Sequence, residues 1–242
     1  IKEFSEDRYL IGVTKHGTIK KTALSNFDTN RKAGLIAINL KDGDELVGIK
    51  QTSGTDNVII VTKHGKCICF SENDVRPMGR IAGGVRAIKL EKDDEVVAMQ
   101  LVQPKEQLLV VTKKGFGKRT AAKEYKVQVR GGKGLLTYDK SKFKKTGELI
   151  GAMVVDDEDE VLLINSNGII IRIKAGDVSK LGRATQGVKI MKVSEDTEII
   201  SMAKVIKEED ITSDKKESGK ESGMEKADNG QLSMETLGEE KK

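Results

Sequence analysis

The sequence repeats a five-residue pattern, and this repetition limits the possible folds more than any other feature. Val-Thr-Lys-His-Gly or a close variant occupies residues 13–17, 61–65 and 111–115, with a looser copy at 164–168, so the final glycines are 48, 50 and 53 residues apart. A short apolar run precedes each pattern and a run with β-branched residues follows it, while the glycine supplies the positive φ of a tight turn. Each copy therefore predicts a β-hairpin.

Each repeat also has a second half with two further apolar segments. The first segment follows a glycine, at Gly34, Gly84, Gly134 and Gly187, and the second follows an acidic turn, at residues 45–49, 95–99, 148–153 and 198–202. Four strands in such a short repeat form one blade of a radial β-structure, because a single small sheet cannot bury its apolar face without neighbouring blades. The sequence predicts an all-β domain at residues 1–206 with four blades, at residues 5–54, 55–104, 105–157 and 158–206.

Composition and run length exclude several other classes of protein. The chain has no Trp, so it lacks the Trp-Asp signature of the common protein-docking propeller, and its apolar runs are too short for a helical solenoid. The longest apolar run, Leu149–Val155, is much shorter than the roughly 18 residues of a membrane span. Residues 1–7 do not resemble a signal peptide and do not begin with Met, so we expect a fragment of a longer cytoplasmic chain.

Charge is distributed unevenly along the chain. Residues 207–242 contain 7 Lys and Arg against 11 Asp and Glu, whereas residues 1–206 contain 36 basic and 27 acidic side chains, a net charge of +9. The C-terminal segment has too few apolar side chains to offset the entropy of ordering, so we expect an acidic, disordered tail. The basic body indicates a polyanionic partner.

No catalytic or metal-binding constellation is evident in the sequence. His16 and His64 occupy the same position in successive repeats, which is typical of turn residues. Cys67 and Cys69 are closer in sequence than zinc ligands usually are, and on a strand two such side chains point to one face. Free thiols also fit a reducing compartment. We expect no active site and no metal in this chain.

The candidate binding loops precede the third predicted strand of each repeat. An arginine followed by small residues and a glycine occupies residues 31–34, 80–84, 130–134 and 183–187. A guanidinium can pair with two phosphate oxygens, and glycine lets backbone N–H groups approach an anion, although glycine alone also suits an ordinary turn. A second basic position follows the hairpin glycine by four residues in three of the four copies.

Cations repeated along a rim would form a track for duplex DNA, which carries one charge per about 1.7 Å. Single strands are a less suitable ligand, because aromatic side chains for base stacking are few. The predicted DNA-contacting residues are Arg31, Lys32, Arg80, Gln128, Arg130, Gly131, Gly132, Lys133, Gly134 and Arg183 in the loops, Arg86 and Lys189 after them, and Lys20, Lys21, Lys66, Lys118, Arg119 and Arg172 in the hairpins.

Three longer segments, at residues 71–80, 115–120 and 182–188, resemble the C-terminal domain of the DNA gyrase A protein and occur in the order expected there. The resemblance covers residues 5–206. It implies a β-pinwheel, a disc of blades whose basic rim bends and wraps duplex DNA. It also implies partners, namely the gyrase B protein and the rest of the gyrase A protein. ATP and Mg would act elsewhere in this cytoplasmic, nucleoid-associated bacterial topoisomerase, which introduces negative supercoils.

The chain departs from this family at its hallmark box, Gln-Arg-Arg-Gly-Gly-(Arg/Lys)-Gly, which belongs to the first blade. The nearest match is Gln-Val-Arg-Gly-Gly-Lys-Gly at residues 128–134, in the third repeat and with Val129 in place of an arginine. Family pinwheels have six blades, so the resemblance implies that this chain holds the last four, with the main box and the catalytic tyrosine upstream. The alternatives are the gyrase A-like protein of topoisomerase IV, which has a similar domain with degenerate boxes, and a protein-docking β-propeller.

Overall fold

In this computed structural model, residues 4–29 and 34–205 are described, and they form four small antiparallel sheets. The strands are β1 (Tyr9–Thr14), β2 (Thr18–Ala23), β3 (Leu46–Thr52), β4 (Asn57–Thr62), β5 (Lys66–Ser71), β6 (Val85–Arg86), β7 (Val96–Val102), β8 (Gln107–Thr112), β9 (Phe116–Ala121), β10 (Leu135–Leu136), β11 (Leu149–Val155), β12 (Glu160–Asn165), β13 (Ile170–Lys174), β14 (Val188–Lys189) and β15 (Ile199–Lys204). The helical elements are α1 (Phe143–Thr146) and 3-10 turns at Leu24–Phe27, Glu72–Asp74, Ala122–Glu124, Lys140–Lys142 and Ala175–Asp177. The predicted all-β fold in four repeats is confirmed.

Some predictions concern residues outside the described ranges. They are the disorder of residues 207–242 and the DNA contacts of Arg31 and Lys32. Within the described ranges, no helix is both long and apolar enough to cross a membrane.

Three of the four sheets take three strands from one repeat and a short fourth strand from the next repeat. The first sheet has the order β3-β1-β2-β6, in which β6 belongs to the second repeat. The second and third sheets follow the same rule, with orders β7-β4-β5-β10 and β11-β8-β9-β14, and the fourth has three described strands, β15-β12-β13. The apolar segment that follows Gly34, residues 35–40, was predicted to form the third strand of the first repeat. This prediction is wrong, because the described chain offers no preceding sheet with which the segment could pair.

The hairpin turns are built as the sequence pattern predicts. In the first hairpin the backbone N–H of Gly17 donates to the carbonyl of Thr14 at 3.0 Å, and Gly17 has a φ of +78°. His16 lies in the turn, where its backbone N–H donates to Oδ1 of Asp44 at 2.9 Å. His64 occupies the same place in the second hairpin. Both histidines are therefore turn residues, as predicted.

Three apolar cores fill the spaces between neighbouring sheets. Val13 of the first sheet packs in one core with Ile60 of the second, and Ile59 on the other face of the second sheet packs with Leu108 of the third. The strands β3, β7, β11 and β15 lie next to one another in that order. The middle sheets are thus buried on both faces, which explains why apolar residues run almost continuously along their central strands.

The two cysteines belong to one of these cores. Cys67 and Cys69 are free thiols on the same face of β5, as their spacing predicts. Burial raises the pKa of both thiols, that of Cys69 to about 11, so both are protonated at neutral pH. Within the described residues, no group of three or more His, Cys, Asp or Glu side chains could hold a metal.

Candidate nucleic-acid interface

The predicted phosphate-binding segments lie beside the second strand of the preceding hairpin. Residues 80–84, 130–134 and 183–187 are termed the arginine loops. Ahead of the first loop the chain runs parallel to β2, and the backbone N–H of Met78 donates to the carbonyl of Lys21 at 2.8 Å. After the loop, β6 pairs antiparallel with the start of β2. The loop bulges between these two contacts, and β5 and β9 hold the other two loops in the same way.

The last glycine of each arginine loop is required by a close backbone approach. Gly134 has a φ of +68°, and a Cβ at this position would lie 2.5 Å from the carbonyl oxygen of Cys67. Gly84 and Gly187 meet a carbonyl oxygen at 2.6 Å in the same manner. These three glycines therefore serve the turn. In contrast, a Cβ at the exposed Gly132 would meet nothing closer than 3.7 Å, so packing does not require glycine there.

The arginine side chains of the second and third loops reach back to the preceding repeat. The guanidinium of Arg130 donates to the carbonyls of Arg86 and Asp74, and Nη1 of Arg183 donates to the carbonyl of Leu136 at 3.0 Å. Arg86 and Leu136 are the second residues of β6 and β10, so the two contacts are equivalent. A guanidinium has five N–H donors, so the bonds described here do not use all the donors of these half-buried arginines.

Main-chain hydrogen bonds join each arginine loop to the preceding repeat, and the three loops together are termed the band. The backbone N–H of Gly131 donates to the carbonyl of Ala87, and that of Lys89 donates to the carbonyl of Gly132, each at 2.8 Å. A single bond links the next pair of repeats, from the backbone N–H of Asp139 to the carbonyl of Thr185 at 3.2 Å, and residues 39 and 82 form the corresponding bond at 3.4 Å. The arginine loops are therefore held at fixed positions relative to one another.

Four of the predicted DNA-contacting cations do not reach the surface. Lys20, Lys21, Lys118 and Arg119 are each 3% exposed or less. The prediction that they form an exposed rim is wrong, because the following repeat runs over the strand that carries them. Arg119 donates to the carbonyls of Val178 and Gly176 and to the Asp157 carboxylate, and Lys21 pairs with Glu72.

Lys20 and Lys118, the two buried lysines on the other face of these strands, have lowered pKa values. Lys118 has no exposed surface, and desolvation lowers the pKa of its ammonium from 10.5 to about 8. The neighbouring Arg183 lowers the pKa of Lys118 further, while Glu124 and Asp139 raise it. Desolvation, followed by the charge of Arg80, also lowers the pKa of Lys20.

The remaining predicted residues lie at or near the surface. Lys133, Arg86, Lys189 and Arg172 are exposed, and Arg80, Arg130, Arg183, Lys66 and Gln128 are half-buried. Arg172 pairs with Glu160, Nζ of Lys66 lies 3.4 Å from Glu91, and Nζ of Lys189 lies 5.2 Å from the centre of the Phe116 ring. The structure thus gathers exposed cations at the arginine loops and the short strands that follow them.

Other exposed cations lie beside this band and were not singled out from the sequence. Arg76, Lys126 and Lys180 are exposed on the segments that lead into the three arginine loops. Lys41 and Lys89 line a groove of about 610 Å³ between the first hairpin turn and the first arginine loop. A signal for the first group was present, since each of these residues stands three or four positions before the loop arginine.

The fold and the loops define a class of protein, a propeller-type repeat domain whose blades exchange strands and carry basic loops. Four segments, residues 8–53, 56–103, 106–156 and 159–206, match the model of the DNA gyrase C-terminal domain, beta-propeller. The chain belongs to this family, as the sequence motifs predicted.

Individual relatives agree with this assignment. The DNA gyrase A protein of Clostridium acetobutylicum is 56% identical over 209 residues, which cover 86% of this chain and 25% of that relative. A solved DNA gyrase A C-terminal domain has a TM-score of 0.76 at 31% identity, covering 85% of this chain and 68% of that chain. A topoisomerase IV C-terminal domain has a TM-score of 0.83 at 28% identity, covering 92% and 69%. The chain therefore spans about a quarter of the full-length gyrase A protein that it matches.

Proposed function

We propose that this domain binds duplex DNA along its arginine loops and bends it, acting as the C-terminal part of a gyrase A protein. The observation that carries the proposal is the band of loops. Three loops at equivalent positions each present an arginine, the second loop adds Lys133, and main-chain hydrogen bonds link each loop to the preceding repeat. A fixed series of cations suits a ligand with regularly spaced charges.

Bending requires contacts at several repeats together. An elastic estimate for bending a site of 20 to 30 base pairs is about 1–6 kcal/mol, and contacts at the far loops must offset this cost. Lys133 and Arg86 at one junction and Lys189 at another provide exposed cations on different blades. The arginine loops contain no aromatic residue, which favours a duplex over a single strand. The recognition is therefore of the phosphate backbone, with little sequence preference.

In the holoenzyme, the partners are the gyrase B protein and the rest of the gyrase A protein, and DNA cleavage, ATP hydrolysis and Mg binding belong to those parts. The bent segment would be delivered for strand passage, which would bias the reaction toward negative supercoils. This assignment implies a location in the bacterial cytoplasm, at the nucleoid. It is supported by family membership and by the 56% identity to a gyrase A protein.

The test is a topology measurement on a nicked plasmid. The domain is bound to the nicked DNA, the nick is sealed by ligase, the protein is removed, and the trapped supercoils are counted by gel electrophoresis. If the protein wraps DNA with a single handedness, the number of trapped supercoils, all of one sign, rises in proportion to the bound protein. Relaxed product at saturating protein would contradict wrapping, and binding that does not weaken with salt would contradict the phosphate-backbone mode.

The corresponding protein of topoisomerase IV is the second candidate, because the TM-score of 0.83 to its C-terminal domain shows a close match of the fold. The higher sequence identity to gyrase A proteins favours gyrase. The same plasmid assay separates the two proposals when the chain is joined to its own upstream domains and gyrase B-type partner. Introduction of negative supercoils with ATP supports gyrase, and relaxation alone supports topoisomerase IV.

A further inference from the structure

The arginine loops differ in what lies beneath them. The residue three positions after the hairpin glycine is Lys20 in the first repeat, Ile68 in the second and Lys118 in the third. Each of these side chains is buried below the arginine loop of the following repeat. Two loops therefore rest on a buried ammonium group, and one rests on an aliphatic side chain.

Lys118 binds its loop through three oxygen atoms. Its Nζ donates to the carbonyl of Gly182 at 2.6 Å, to the carbonyl of Arg183, and to the hydroxyl of Thr185 at 3.1 Å. An ammonium group has three donors, so these contacts use all of them. The ring of Tyr138 lies 5.7 Å from Nζ, centre to nitrogen, and closes the site from another side.

Lys20 repeats this arrangement under the first loop. Its Nζ donates to the carbonyl of Arg80 and to that of Ala37 at 2.6 Å. Both lysines therefore hold the carbonyl of the arginine that begins the loop. Under the second loop Ile68 has no donor to offer, and its Cδ1 lies near Gly132 at van der Waals distance from an ideal Cβ there.

We propose that Lys118 and Lys20 are positioning residues, whose buried ammonium groups hold Arg183 and Arg80 in place for contact with DNA phosphates. The inference rests on the proposed DNA-binding function. A buried charge with three oxygen partners in one loop fixes that loop more firmly than apolar packing does, because charge-assisted hydrogen bonds are strong and directional. The loop at residues 130–134 lacks this support and is held by the Arg130 side chain and by main-chain hydrogen bonds of Gly131 and Gly132.

The closing of the loop over Lys118 should depend on pH. Burial lowers the pKa of Lys118 to about 8, and the charged groups around it are Glu124, Asp139 and Arg183. The protonated share of a group with this pKa falls roughly tenfold between pH 7 and pH 9. An open loop would expose Lys118 to water and return its pKa toward 10.5, so opening of the loop at residues 183–187 takes up a proton and should become less frequent over this range.

Tryptic cleavage compares the opening of the two kinds of loop in one molecule, since the Arg183–Ala184 and Arg130–Gly131 bonds are both tryptic sites. The cleavage rates are measured on the folded chain by mass spectrometry at about pH 7 and pH 9, and their ratio cancels the pH dependence of the protease. We expect the ratio of cleavage after Arg183 to cleavage after Arg130 to fall severalfold from pH 7 to pH 9 in the wild type. In Lys118→Met the ratio should be higher than in the wild type at pH 7 and should not change with pH. A constant wild-type ratio would overturn the proposal.

DNA affinity gives the second readout. Lys114→Met is the matched control, because it removes one positive charge from the exposed turn of the same hairpin. At pH 7 and fixed salt, Lys118→Met should weaken duplex binding several times more than Lys114→Met does, and its affinity should vary less with pH than that of the wild type. Equal losses in the two variants would overturn a positioning role.

Further comparisons keep the test decisive. If Lys118→Met does not fold, the wild-type cleavage ratio and the variant Lys20→Met, read by cleavage after Arg80, decide the question. If the wild type shows no salt-sensitive binding to duplex DNA, the proposed function fails, and the cleavage ratio still reports whether Lys118 holds the loop.

Discussion

Lys21 and Glu72 form a buried ion pair that joins the first repeat to the second. Nζ of Lys21 lies 3.1 Å from Oε2 of Glu72, whose side chain has no exposed surface. The Glu72 carboxylate also accepts from the hydroxyl of Thr52 at 2.7 Å and from the backbone N–H of Asp56 at 2.8 Å. Since both charges are removed from water, each depends on the other for its compensation.

Lys21→Met should therefore destabilise the domain strongly, because it leaves the Glu72 carboxylate buried without its counter-charge. We expect the free energy of unfolding to fall by about 3–5 kcal/mol, measured by chemical denaturation at neutral pH. Arg172→Met is the matched control, since Arg172 occupies the same position in the fourth repeat but pairs with Glu160 at the surface. That change should cost about 0–1 kcal/mol. Equally small effects of the two substitutions would contradict the importance of the buried pair.

The closing glycine of an arginine loop should not tolerate a side chain. In Gly134→Ala the new Cβ meets the Cys67 carbonyl oxygen at 2.5 Å, and the φ of +68° is itself unfavourable for alanine. The backbone conformation alone costs about 1–2 kcal/mol, so the midpoint of thermal unfolding should fall. Gly79→Ala provides the comparison, because a Cβ at Gly79 would meet nothing within 4 Å. A similar midpoint for both variants would show that the main chain relaxes at Gly134.

Stability should depend on pH through Lys118. Its pKa is about 8 in the folded protein and 10.5 ordinarily, so between these values the unfolded chain binds more protons. The free energy of unfolding contributed by this group therefore rises with pH, by at most about 1.4 kcal/mol per unit. Cys67 acts in the opposite direction because its thiol pKa is raised in the folded protein. The wild type should thus be compared with Lys118→Met by denaturant titration. The free energy of unfolding of the wild type should increase relative to that of the variant as pH rises. A constant difference would contradict the lowered pKa.

The hairpins could be predicted from the sequence because their signal is local. A Thr-Lys-His-Gly turn fixes both the reversal and its glycine within four residues, and the structure has this turn at Gly17 and Gly65. The strand exchange could not be predicted in this way. Val85–Arg86 pairs with the first sheet through one short ladder. A strand of two residues carries no sequence pattern that identifies the sheet with which it pairs. That choice depends on how the whole repeat packs against its neighbour.

The candidate site could be predicted only in part for a related reason. The arginine loops were identified from a recurring arginine and glycine, and they do lie at equivalent positions on successive blades. The sequence does not show that Lys118 is buried and Lys133 exposed, because both are lysines near glycines in a basic stretch. Lys118 is buried because a chain segment more than 60 residues away covers it, as its hydrogen bonds to Gly182 and Arg183 indicate.

Removal of the acidic tail should strengthen DNA binding. Residues 207–242 carry a net charge of −4, and an anionic segment tethered to a basic domain competes with DNA phosphates for the same cations. A chain that ends at Ile206 should bind duplex DNA more tightly than the full chain, most clearly at low salt where screening is weak. Equilibrium binding over a series of salt concentrations tests this. Unchanged or weaker binding would show that the tail does not compete.

The second arginine loop should contribute more to DNA bending than to affinity. Arg130 and Lys133 give this loop two cations, whereas the loops at 80–84 and 183–187 have one arginine each. Because the other exposed cations still hold the duplex, replacing both residues with Ala should reduce bending more than binding. Loss of two phosphate contacts should also lower the salt slope of log affinity by about 1.8. Fluorescence transfer across a long duplex measures bending, and equilibrium titration at several salt concentrations measures affinity and slope.

The matched comparison for that pair is Arg31→Ala with Lys32→Ala, which removes the same charge from the first repeat. The three arginine loops keep their cations in this variant, so it should lower affinity with a smaller effect on bending. If both double variants lose bending and affinity in the same proportion, the loops act as interchangeable charges. The two cations and the exposed Gly132 of residues 130–134 would then have no special part in shaping the DNA.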